Sequence, residues 1–83
     1  MRAEQLLPDH TNQVVLNGTT VRKGTVGAFL VNARVWCDPN ASDAARAEAE
    51  ADLREGLPAM RALGVFDVFE IRDEALRTWI AEQ

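Results

Sequence analysis

The apolar positions of this chain follow two periods. Around Asn17-Gly18 they alternate, with Gln13-Val14-Val15-Leu16 before the pair and Thr19-Thr20-Val21-Arg22 after it. Alternation on β-favouring residues marks strands. Asn-Gly between two such runs is the strongest short hairpin signal, because a type I′ turn needs positive φ at both central residues. A two-residue loop pairs Leu16 with Thr19, Val15 with Thr20 and Val14 with Val21. Val14, Leu16, Thr19 and Val21 then share one face, and Gln13, Val15, Thr20 and Arg22 the other. A lone hairpin is marginal, so the apolar face needs a cover.

From Gly24 the period changes to three and four. Val26, Phe29, Leu30, Ala33, Trp36 and Cys37 fall on one face of a helix. The Thr25 hydroxyl can cap its start, and Gly24 lets the chain turn sharply into it. Val31 and Val35 make the far side partly apolar. Only Lys23 and Gly24 separate hairpin from helix, so the helix is expected to fold back directly onto the hairpin's apolar face. A loop follows, and Ser42 caps a second, alanine-rich helix with Asp43 in its first turn. Gly56-Leu57-Pro58 predicts a kink or a fresh short helix, since Pro58 lacks the N–H that would bond back to Arg54. Leu53, Leu57, Met60 and Leu63 continue the apolar side, and Gly64 ends the element.

Residues 65–71 are β-rich and read as a short third strand, with Val65, Phe69 and Ile71 facing the core. The competing pattern is a capping box, Asp67-Val68-Phe69-Glu70, starting one helix that runs to the last residues. Asp73 to Ile80 is helical either way, with Leu76, Trp79 and Ile80 inward. The fold class expected is α+β: a β-hairpin plus a short third strand, packed on one side by about three helices. Residues 1–12 read as a flexible lead-in and residues 13–83 as a single small domain.

Length sharpens the picture. A chain of 83 residues buries only about 60–65% of the surface its unfolded form exposes, so its core is thin. Disulfide, metal or association can supplement such a core. The lone Cys37 forms no internal disulfide, and Cys37 with His10 makes no conventional zinc site. Association is therefore the expected supplement, as a homodimer or with another protein. Val15, Val31, Val35, Phe66 and Trp79 are the candidate interface residues. A lone thiol fits a reducing compartment, and no stretch approaches the roughly 20 apolar residues of a membrane span. A cytoplasmic protein without a membrane partner is expected.

The net charge is −4. Residues 1–36 carry four cations against two acids, and residues 37–83 carry five against eleven. Opposite signs on the two halves would suit self-contact, although acids that simply solvate a helix surface explain them more simply. Neither half supplies the clustered cations that nucleic acid requires.

Candidate chemistry is sparse. His10, between Asp9 and Thr11, could be a carboxylate-oriented base, but no second catalytic group lies within sequence reach. Lys23-Gly24-Thr25 lacks the glycines of a phosphate loop and sets its Lys before the turn. Cys37 ends a helix, where the dipole raises a thiol pKa, so it is expected to be a small buried apolar residue. Asn32 lies beside the apolar face, placed either to bond loop backbone or its symmetry mate in a dimer, or to face water. No catalytic residue, cofactor or metal is expected. Two alternatives remain to an interaction protein. One is a nucleic-acid regulator with helix-turn-helix-like helices, although the second helix offers Glu48, Glu50, Asp52 and Glu55 to a groove. The other is a small enzyme using His10, Cys37 or Asp67.

Asn17-Gly18, Gly24-Thr25-Val26, Asn32, Leu57-Pro58, Gly64-Val65-Phe66-Asp67-Val68-Phe69 and Trp79 occur in one order along residues 13–80. In this the chain resembles a family of short, uncharacterised bacterial proteins. Some relatives carry the label preprotein translocase subunit SecD, which a chain without a membrane span does not fit. The resemblance implies a small bacterial protein and brings no catalytic residues and no substrate.

Overall fold

The computed structural model describes Arg2 and residues 12–83. The hairpin forms where the alternation places it, from β1 (Gln13–Leu16) and β2 (Thr19–Arg22). Its register is Gln13 with Arg22, Val14 with Val21, Val15 with Thr20 and Leu16 with Thr19. Asn17 and Gly18 take φ of 48° and 78°, the left-handed pair that this turn demands. Val21 is buried and Val14, Leu16 and Thr19 half-buried, while Gln13, Val15, Thr20 and Arg22 face outward.

Helix α1 (Thr25–Cys37) starts from Gly24 at φ 88°, with no side-chain cap. The Thr25 hydroxyl does not cap the helix as expected. It donates backward to the Arg22 carbonyl at 2.7 Å and ties the helix entrance to the end of β2. The buried arc of α1 is also narrower than the periodicity suggests. Phe29 is buried and Ala33 and Trp36 half-buried, whereas Val26, Leu30 and Cys37 are exposed. The expectation of a buried Cys37 is thus corrected: one turn beyond Ala33, it sits at the rim of the packed face.

Helix α2 (Asp43–Leu63) is the element on which the rest is assembled. Ser42 caps it by accepting from the Ala45 N–H at 3.1 Å, and Gly64 closes it at φ 79°. The interruption expected at Pro58 does not occur. Pro58 and Arg54 both lie on the exposed side, so the carbonyl left without an N–H is on the side where water can serve it. Ala49, Leu53, Leu57 and Met60, at steps of four and three, form the buried stripe.

The hairpin rests its apolar face on α2, and α1 packs against α2 beside it. A polar cleft of about 680 Å³, lined by Gln13, Thr20, Asn32 and Asp52 among others, lies between hairpin and α1. The expectation that α1 covers the hairpin is therefore overturned. The left-handed backbone at Gly24 turns α1 off the sheet, and α2 supplies the cover instead. Asn17 locks this arrangement, its Nδ2 donating at 2.8 Å to the Ala62 carbonyl, which the last turn of α2 leaves unpaired.

The third strand does not form; the sheet has two strands among the described residues. Val65–Val68 is instead one helical turn, α3, closed by Phe69 N–H to the Val65 carbonyl at 2.8 Å. The competing long helix from Asp67 does not form either. The chain runs extended from Phe69, and α4 (Glu74–Ala81) starts afresh with Asp73 accepting from the Leu76 N–H at 2.9 Å. Local β-propensity loses here because no sheet edge adjoins the segment, and Phe66 instead packs on Phe29 of α1. The core thus joins Phe29, Leu53, Leu57, Met60, Leu76 and Ile80 across three helices.

Candidate docking surface

Packing of α3 and α4 against α1 leaves an open groove of about 390 Å³ between α1 and residues 65–76. Its floor is set by Phe29, whose ring meets that of Phe66 at 6.2 Å and 58°. Val26 and Leu30 stand along one lip and Phe69 and Ile71 along the other. Leu30 is 59% exposed and Phe69 69% exposed. Arg34, Glu70, Arg72 and Asp73 stand at the rim, two of each sign.

The lips are held from behind. Arg77 donates to the Ile71 carbonyl at 2.8 Å and reaches Glu70 at 3.6 Å, which fixes the extended run before α4. Arg61 donates to the Ile80 carbonyl at 3.2 Å and joins α4 to α2. At the far end of α1, Arg46 donates to the Asp38 carbonyl at 2.9 Å and sets the loop into α2. The groove is thus a preformed feature of the fold.

The sequence-derived interface residues do not converge. Val15 is 65% exposed on the outer hairpin face, away from the groove. Val31 is 63% exposed on the outer flank of α1 and Val35 half-buried next to it. Phe66 is half-buried and forms part of the groove wall. Trp79 is engaged within the chain: its ring meets Trp36 at 6.0 Å, and the Arg54 guanidinium lies 5.5 Å above it. The Trp36 Nε1 donates to Glu50 at 3.1 Å. Sequence reasoning missed Val26, Leu30, Val68 and Phe69 as exposed apolar residues, having assigned three of them to the core.

The titratable candidates are dispersed. Partial burial raises the Cys37 thiol above its ordinary pKa, and the Asp73 carboxylate adds to this by charge and hydrogen bonding, against a smaller opposing effect of Arg46. A thiol so placed stays protonated near neutrality and is a poor nucleophile. Asp67 is exposed beside the bend at Gly64. His10 lies outside the described residues. No three His, Cys, Asp or Glu side chains gather into a metal-binding group among the described residues. Asn32 is half-buried and faces the polar cleft. No family model, no curated protein and no solved structure matches the chain.

Proposed function

We propose that this chain is a non-catalytic, cytoplasmic protein-interaction domain that docks a partner through the apolar groove between α1 and residues 65–76. The observation that carries this reading is the groove itself, a concave apolar surface whose lips keep Leu30 and Phe69 mostly in water. Contiguous exposed apolar surface rimmed by charge is what protein-docking sites share. A thin core gives a second reason to associate. No helix among the described residues is long and apolar enough to cross a membrane, so the groove is read as facing another protein. The nucleic-acid alternative is disfavoured because Glu48, Asp52 and Glu55 lie exposed along α2, where phosphates would be repelled. An enzymatic role is disfavoured because a protonated Cys37 and an isolated Asp67 make no nucleophile–base pair.

The test is site-specific photo-cross-linking in living cells. A benzophenone side chain replaces Leu30 and, as a control, exposed Ala47 on α2. A discrete protein adduct from position 30 alone is expected. No adduct, or the same adducts from both positions, would overturn the docking function.

A further inference from the structure

The groove identifies where a partner sits, and α1 carries the marks of which partner it is. Gly27 lies within α1 on its outer side, and a Cβ built there would meet nothing within 4 Å. Glycine is a poor helix former, and inside a helix it often marks close backbone approach. Among the described residues nothing approaches it. Gly27 shares its exposed side with Leu30, Val31 and Arg34, next to the groove lip formed by Val26 and Leu30.

We propose that the docked partner is a second copy of this chain, its α1 crossing α1 in antiparallel fashion, with Leu30 near the two-fold axis and Gly27 giving the backbones room to approach. The assignment rests on the docking function proposed above. Two features support it. The rim charges, two of each sign, suit a surface that meets itself better than a partner of single sign. The same face also carries both a hollow and its filling. Leu30 and Phe69 project beside a groove that accepts apolar side chains, as an isologous contact requires. Phe69 widens the contact beyond the helix crossing, toward the roughly 800 Å² per partner of a stable interface.

Sedimentation velocity of the purified chain, from about 1 μM to about 500 μM, tests the proposal. The wild type is expected to show a concentration-dependent dimer, Leu30→Glu to stay monomeric, and Val15→Glu to dimerise as the wild type does. Gly27→Ala separates the two roles of the glycine. It is expected to weaken the dimer by about tenfold or more while raising the thermal midpoint of the dilute monomer. A wild type monomeric at every concentration would overturn the proposal, as would a Gly27→Ala variant that dimerises undiminished. If that monomer still yields a position-30 adduct with a different protein, the second-copy assignment fails and the docking function stands. If it yields none, both fail.

Discussion

Asn17 does two jobs that substitution can separate. It holds φ at 48° in the turn, and its side chain donates at 2.8 Å to the Ala62 carbonyl on α2. A left-handed backbone costs an ordinary L-residue roughly 1–2 kcal/mol, which glycine escapes. The hydrogen bond is exposed, so its net value is about 0.5–1 kcal/mol. Asn17→Gly keeps the turn and loses the bond, with a small added loss from the freer unfolded chain. It is expected to cost about 1 kcal/mol, or about 4–8 °C in midpoint for a domain this size. Asn17→Ala loses both and should cost about 2 kcal/mol, or about 8–16 °C. A domain of this length holds on the order of 4–12 kcal/mol in all, so both effects are measurable. Urea titration followed by circular dichroism gives the two values, with an unchanged slope showing that the folded state keeps its extent. An Asn17→Gly protein as stable as the wild type would refute the lock between hairpin and α2. Equal losses in the two variants would refute the turn strain.

Leu53, fully buried at the centre of α2, should lose about 2–5 kcal/mol as Leu53→Ala, read by the same titration. Pro58→Ala should raise the thermal midpoint, because it restores an N–H to an already continuous helix. A fall would show that the proline stabilises the native helix. Asp73→Asn keeps a side-chain oxygen to cap α4 but removes the charge facing Cys37. The folded-state thiol pKa lies above its ordinary value, so the rate of Cys37 alkylation should inflect at higher pH than in a free cysteine. In Asp73→Asn the inflection should move to lower pH, and an unmoved inflection would exclude Asp73 as a cause.

What was legible in the sequence was what local chemistry decides alone. Asn17-Gly18 admits one turn type, and that turn dictates the register found. Ser42 and Gly64 bound α2 as their side chain and backbone freedom require. Errors arose where one residue type suits two environments. Leu30 and Phe69 look like core residues on periodicity, yet a helix of three or four turns meets neighbours along only part of its apolar arc. Proline breaks helices in general, but at Pro58 the lost bond falls on the watered side. Val65–Val68 is β-favouring, and only the placement of the hairpin on α2 shows that no edge is there to receive it. The groove was illegible for the same reason: it is a space between α1 and a segment roughly 30–50 residues away, fixed by how both pack on α2.

The central claim is that the Leu30 face of α1 becomes covered when the protein assembles. Methyl relaxation by a paramagnetic solvent probe, measured on dilute and concentrated samples, tests it directly. Val26 and Leu30 methyls should be strongly relaxed when dilute and protected when concentrated, while Val15 on the hairpin stays relaxed at both. Unchanged relaxation at Val26 and Leu30, or equal protection of Val15, would contradict the account.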